Sequence, residues 1–305
     1  MLAHRLERYS PAYLPFMLQI HLARVSQCFP DGPDERTLMP HASLSPLLAL
    51  VDETTRADVA KFRFVGDARR CLLGRLLVRY VLTARLGSPW SSFSFARTDR
   101  GRPYALQAET PAPLDFNLSH DSDMVVVASV ASSETAAGRA GVDVMRIRNP
   151  WEGSTVEEFV EGVGEMLHPT ERAFLAALPT SPARLRHALA LWTLKEAFTK
   201  ATGEGFHFDL ERLSFDLDLS DRSLEAAHIA EVDGEPLTGW RFSLAELPDG
   251  RGGDAYWLAI AVQDQDGAGA VQMGSEGFAS VTEVAEEELV RVARGGTSTA
   301  DSEER

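Results

Sequence analysis

Cysteine is nearly missing from this chain of 305 residues. Cys28 and Cys71 are too few for a disulfide scaffold. Long apolar runs are missing as well, and nothing approaches the roughly 20 residues that a membrane-spanning helix needs. The apolar stretch Leu14–Ile20 is followed by no small-residue cleavage site, so it reads as a strand rather than a signal peptide. Positive charge is in deficit. The formal net charge of −15 argues against general nucleic-acid binding. These shortages leave a cytoplasmic globular protein as the expectation: a monomer with neither a nucleic-acid nor a membrane partner.

Lysine is scarcer still, because 27 of the 30 basic residues are arginine. The three lysines are Lys61, Lys195 and Lys200, and two of them fall within one short stretch. A chain that uses guanidinium nearly everywhere keeps an ammonium where a compact phosphate contact or a proton donor is wanted. The basic residues are also unevenly spread. Eleven of them lie between Arg56 and Arg102, against three acids, Asp58, Asp67 and Asp99. Such a block in an acidic protein calls for a phosphate-rich ligand or an acidic partner, although several of its members will simply line a solvated helix face.

The chain divides into two halves and a tail. Residues 1–148 form an N-terminal α+β half. A β-like segment at Phe16–Val25 and a Pro/Asp/Gly loop at Phe29–Pro40 come first, then a helix over Asp67–Leu86 stopped at Gly87. Short strands follow at Phe93–Ala96, Leu114–Leu118, Met124–Val130 and Gly141–Met145. Residues 149–263 form a second α+β half. It has helices at Val156–Leu167, Thr170–Leu178 and Pro182–Thr202, and strands at Leu213–Leu217, His228–Val232, Trp240–Leu244 and Tyr256–Val262. Residues 264–305 read as an acidic, disordered tail, with room for a short amphipathic helix at Val281–Ala293. One long helix and several antiparallel strands per half make the fold class α+β.

Three segments carry chemistry. Phe116-Asn117-Leu118-Ser119-His120 ends an apolar strand, where a hydroxyl and an imidazole can meet a phosphate; alone, a surface turn histidine is the plainer reading. Gly141-Val142-Asp143-Val144-Met145 puts an acid inside an apolar strand. A carboxylate there is either ion-paired or bound to metal, since burying it bare is costly. Trp192, Glu196 and Lys200 are spaced i, i+4, i+8 along one helix face, which an ordinary surface Glu–Lys pair would explain equally well.

The order and spacing of the three segments together resemble the Sfp-type 4′-phosphopantetheinyl transferase superfamily. The eukaryotic branch that activates aminoadipate-semialdehyde dehydrogenase is closest in character. Asp67–Gly74 is similar to the family's N-terminal helix, Arg97–Pro103 to its Gly-Lys-Pro loop with Arg102 for the lysine, and Gly203-Glu204-Gly205-Phe206 to its post-helix residues. The resemblance implies two pseudo-symmetric α+β subdomains with the active site in the cleft between them. It implies Mg²⁺ held by Asp143 and Glu196, and coenzyme A as co-substrate with apo acyl or peptidyl carrier proteins as partners. In that reading Glu196, Lys200 and His120 are catalytic. Arg69, Arg70, Cys71, Arg102, Ser119, His120 and Lys200 hold coenzyme A, and Lys195 positions. The third acid of the family's Sfp branch is here Met145, as in the motif of the eukaryotic branch, and its soft thioether is expected to leave Mg²⁺ alone. A catalytically silent, coenzyme A-binding homologue with a regulatory role is the alternative, and a general nucleotide-binding module a third reading.

Overall fold

The computed structural model describes residues 18–29, 37–38, 44–112, 114–131, 138–219, 227–263 and 281–296. The first run of elements is β1 (Gln19–Arg24), α1 (Val25–Cys28), α2 (Ser45–Leu48), α3 (Glu53–Val59), α4 (Val65–Leu86), β2 (Phe93–Arg97), β3 (Pro103–Gln107), β4 (Thr110–Pro111), β5 (Leu114–Asp121) and β6 (Met124–Ala131). The second is β7 (Arg139–Arg146), α5 (Val156–Gly164), α6 (Pro169–Ala177), α7 (Ser181–Thr202), β8 (Leu213–Asp216), β9 (Ala227–Val232), β10 (Glu235–Pro236), β11 (Trp240–Leu247), β12 (Tyr256–Gln263), β13 (Val281–Glu283) and α8 (Glu286–Ala293).

Two helices of 22 residues frame the molecule, and their ends follow from local chemistry. Gly87 (φ 62°) and Gly203 (φ 73°) take the left-handed cap conformation in which a Cβ is strained, and each donates its N–H back to the helix. Thr180 caps the start of α7, Thr155 and Glu158 form a capping box on α5, and Pro182 stands in α7's first turn. Neither long helix shows a clean amphipathic stripe, because neither is a surface helix. Both bury half or more of their residues, packed against a sheet.

Alternation along the strands then builds four layers. On β6, Val125 and Val127 face α4, while Met124, Val126, Ala128 and Val130 face the other way. The sheet β13-β1-β6-β5 therefore packs α4 on one side and the sheet β10-β9-β11-β12-β7 on the other. The second sheet's outer side carries α5, α6 and α7 over Trp257, Ala259 and Ala261. The order is helix, sheet, sheet, helix, an α+β architecture.

Two expectations change. β7 lies before residue 148, yet it pairs along its whole length with β12 of the second sheet. β7 thus belongs to the second sheet, because a strand buried on both faces completes the sheet that offers it hydrogen bonds. The tail is not uniformly disordered either. β13 pairs in parallel with β1, Val284 N–H donates to Leu22 O at 2.7 Å, and Glu283 meets Arg24 at 3.1 Å. On α8, Leu289 and Val292 enter the core around α4. Composition concealed this docking, since three apolar residues suffice for it. The remaining tail, residues 264–280 and 297–305, lies outside the described residues, as do parts of the expected segment at 16–25 and loop at 29–40.

Truncation after residue 280 should therefore destabilise the protein by several kcal/mol, at ~1.5–3 kcal/mol per fully buried aliphatic side chain lost. Calorimetry should show a clearly lower Tm; an unchanged Tm would mean that the strap contributes nothing. A second expectation concerns acid. His21 on β1 packs its ring edgewise on Tyr80, and burial first, then the charge of Arg85, lower its pKa from 6.5 to about 4. Between those pH values the unfolded chain binds a proton that the folded chain refuses, so stability is lost as pH falls through that window. Urea titrations from pH 7 to 4 should show a shallower loss for His21→Phe than for the wild type.

Candidate active site

β5 is where the site begins. Its even residues, Leu114, Phe116 and Leu118, pack toward α4, and its odd residues are polar and point at the edge of β7. Among the described residues no strand pairs with that edge backbone to backbone, and its outward N–H groups need acceptors. β5 supplies them one by one. Ala140 N–H donates to Asp115 Oδ2 at 2.9 Å and Val142 N–H to Asn117 Oδ1 at 3.0 Å. Val144 N–H donates to Ser119 Oγ at 3.3 Å and Arg146 N–H to Asp121 Oδ2 at 2.6 Å. A ladder of side chains thus replaces a backbone ladder between two edge strands.

The odd residues of β7 face α7. At Gly141 a Cβ would stand 1.9 Å from Ala197 O and 2.6 Å from Ala201 N, so helix and strand touch backbone to backbone. Contact this close carries Asp143, two residues on, under the helix face that bears Glu196 and Lys200. In the stretch Leu191–Lys200, Trp192, Glu196 and Lys200 are the partly open positions, and the residues between them are buried.

The resulting cluster is compact. Lys200 Nζ lies 2.6 Å from Asp143 Oδ1 and donates to Ser119 Oγ at 2.9 Å. Ser119 donates to Asp143 Oδ1 at 2.8 Å. With Val144 N–H also donating to it, the Ser119 hydroxyl uses its one donor and both acceptor sites within the protein. Asp143 is 7% exposed. Burial first, then the negative charge of Asp143, raise the pKa of Glu196, with Lys200 pulling the other way. Two carboxylates from two elements thus lie near enough at a half-open site for the charge of one to raise the pKa of the other, and one cation offsets them in part.

Arg70 and His120 form the neighbouring wall. Arg70 binds Asp67 at 2.8 Å and donates to Ser122 O at 3.2 Å in the turn after β5. His120 opens to solvent but sits low among its neighbours. The desolvation this brings, then the charges of Arg70 and Lys200, lower its pKa.

Residues 40–132 match the family described as 4′-phosphopantetheinyl transferase, N-terminal, and residues 139–261 match the 4′-phosphopantetheinyl transferase superfamily. The 4′-phosphopantetheinyl transferase pptA of Paxillus involutus is 35% identical over 223 residues, 71% of this chain and 78% of that protein. The chain belongs to the 4′-phosphopantetheinyl transferase family. A phosphopantetheinyl transferase of a Thraustochytrium species is 32% identical over 260 residues, 82% of this chain and 84% of its own. The L-aminoadipate-semialdehyde dehydrogenase-phosphopantetheinyl transferase of Mus musculus is 30% identical over 231 residues, 73% and 71% of the two chains.

Not every residue that the sequence assigned to the site joins this cluster. Ser119, His120, Asp143, Glu196, Lys200 and Arg70 come together. Arg69 does not: it is 0% exposed, with its guanidinium 5.3 Å over the Phe29 ring, so it packs the core. Arg102 is turned inward among backbone carbonyls and Asp115, and offers no open guanidinium to a nucleotide. Cys71 is half-buried against the core around α4, and burial raises its thiol pKa. Lys195 is 0% exposed and points into the core, paired with Glu171 at 2.8 Å. Met145 packs against the core beside Trp257. Sequence reasoning missed Asp115 and Asp121, although polar residues at every second position of an apolar strand were the signal.

Gly141→Ala should separate helix from strand. Overpacking costs typically about 1–3 kcal/mol, and here the clash is with backbone that cannot rotate away. Transfer activity should collapse even at temperatures where the variant stays folded. Gly74→Ala is the control: its Cβ would meet chiefly Leu118 Cδ2 at 2.8 Å, the mobile end of a side chain. Equal tolerance of both substitutions would contradict the close approach at Gly141.

Proposed function

We propose that this transferase moves the 4′-phosphopantetheine group of coenzyme A onto a serine of an apo acyl or peptidyl carrier protein, with Mg²⁺ as the metal. The observation that carries the reading is the juxtaposition of Asp143 and Glu196. Two carboxylates from β7 and α7 share a half-open site with Lys200, close enough for one to raise the other's pKa.

This donor set fits a hard divalent cation. Both donors are carboxylates, and Mg²⁺ commonly takes one or two of these while keeping waters and substrate phosphate oxygens. Among the described residues no group of three or more His, Cys, Asp or Glu is gathered. Asp143 and Glu196 would then supply the protein's share, with Met145 taking none. When bound, Mg²⁺ supplies charge neutralisation for the pyrophosphate.

The chain's own residues account for the remaining tasks. Glu196 receives the proton of the carrier's serine hydroxyl as that oxygen bonds to the β-phosphorus of coenzyme A. The bond from that phosphorus to the bridging oxygen breaks, and 3′,5′-ADP leaves. Lys200 faces the leaving phosphate, as the nearest ammonium and a source of charge or a proton. Arg70 and His120 line the wall where the remaining phosphates lie. Ser119 orients Asp143 and Lys200 rather than holding phosphate directly, since its hydroxyl is already committed.

Glu196→Gln keeps size and hydrogen bonding but removes the base and one anionic ligand. Loss of a general base alone costs about 10²–10⁴-fold in rate. Incubating an apo carrier protein with coenzyme A and Mg²⁺, with mass spectrometry of the carrier, should show modification by the wild type and almost none by the variant. A variant keeping more than about a tenth of the wild-type rate would remove Glu196 from this role. An unmodified carrier with the folded wild type, across several carriers, would favour the silent homologue instead.

A further inference from the structure

The tight loop between β2 and β3 contains the most heavily engaged guanidinium at the join of the two halves. Thr98 closes the loop: its N–H donates to Arg102 O at 2.9 Å, its hydroxyl accepts from Arg102 N–H at 3.1 Å, and Gly101 turns at φ 84°. From this base the side chain of Arg102 runs inward, 9% exposed, and reaches three elements. Nη2 donates to Asp115 Oδ2 on β5 at 2.6 Å and to Ala140 O on β7 at 3.0 Å. Nη1 donates to the carbonyl oxygen of Lys200 on α7. The stem lies against Gly203, where a Cβ would be 3.4 Å from Arg102 Cδ. Arg100 adds a second tie from the same loop, to Glu204 at 3.1 Å.

The Lys200 carbonyl is one of the last four of α7, which have no partner within the helix. A guanidinium there both satisfies it and complements the negative end of the helix dipole. The same cation holds Asp115, which receives the first N–H of the β7 edge ladder. The backbone of Lys200 is thereby pinned to β5 and β7, the two strands whose Ser119 and Asp143 its ammonium touches. We infer that Arg102 is a positioning residue for Lys200, fixing where the ammonium stands, and that it is not a contact for the nucleotide of coenzyme A.

This rests on the transfer reaction proposed above, and the two can fail separately. In wild-type protein with an apo acyl carrier protein, coenzyme A and Mg²⁺, absence of transfer would sink the functional reading alone. The inference is read on the variants. Arg102→Ala should lower kcat by about tenfold or more, since small misplacements of a catalytic group are that costly. The KM for coenzyme A should stay within about twofold, because no uniform binding contact is removed. Arg102→Lys should recover part of kcat but not all of it, since a single ammonium nitrogen cannot stand where both Nη1 and Nη2 of Arg102 meet their acceptors. In a Lys200→Ala background, Arg102→Ala should cause little further loss, as expected when two residues act through one group.

A measurement independent of activity covers weakly active or unstable variants. Amide hydrogen exchange of Thr199–Glu204 should rise in Arg102→Ala while that of α4 stays unchanged. Asp115→Asn, which keeps an acceptor for Ala140 N–H but loses the charge on Arg102, should reproduce the rise in milder form. A raised KM with intact kcat would return Arg102 to the nucleotide. Additive losses in the Lys200→Ala background, or unaltered exchange at the end of α7, would equally overturn the assignment.

Discussion

The N–H groups along the open edge of β7 must be satisfied, and the way they are satisfied organises the rest of the molecule. A buried backbone donor left without an acceptor costs about 1–3 kcal/mol. Asp115, Asn117, Ser119 and Asp121 each take one, so β5 and β7 are bound in register without being hydrogen-bonded backbone to backbone. A slip of one residue would turn the polar set of β5 into the α4 core and its leucines and phenylalanine into the join. Register between the halves is therefore specified by the same alternation that builds the N-terminal core.

Function grows out of this join because Ser119 belongs to both. Its oxygen accepts the third N–H of the ladder, donates to Asp143 and accepts from Lys200. One hydroxyl thus connects the structural seam to the acidic site. On the other side, Gly141 lets α7 lie against β7, which brings Glu196 and Lys200 over Asp143. Burial and the charge of Asp143 raise the pKa of Glu196 there, and Lys200 offsets them in part.

Much of this was legible from residue order alone. The two long helices announced themselves by their stop glycines, and the i, i+4, i+8 spacing of Trp192, Glu196 and Lys200 placed them on one face. The acid in β7 demanded a partner, and its partner is Lys200. What the sequence concealed were interactions with no local signature. Arg102 and Lys200 are almost a hundred residues apart, and nothing in Arg-Gly-Arg-Pro indicates that the second guanidinium turns inward. The same holds for Arg69, one residue from Arg70 yet pointing into the core beside Phe29. On a helix, adjacent residues diverge by about 100°, so neighbouring arginines commonly serve different surroundings. The docking of β13 and α8 was concealed because the acidic residues around Leu289 and Val292 outweigh them in any compositional average.

The scarcity of lysine shows how the chain assigns its two kinds of cation. Lys61 is a surface residue paired with Asp58. The other two stand where a guanidinium would not fit. Lys195 directs its ammonium to Glu171 and to the carbonyls of Leu210 and Leu213, three acceptors converging on one nitrogen deep in the core. Burial there lowers its pKa, while Glu171 opposes the shift. A planar fork cannot aim three N–H groups from a single centre, whereas an ammonium has three donors on one atom. Lys200 meets the same demand at the site, where Ser119 Oγ and Asp143 Oδ1 both lie within 3 Å of Nζ. Arg102 poses the opposite problem, with acceptors spread over three elements, and there the chain uses the fork. Lys195 and Glu196, adjacent in sequence, consequently face different sides of α7, about 100° apart. The first ties the helix to the core, which holds the second facing the cleft.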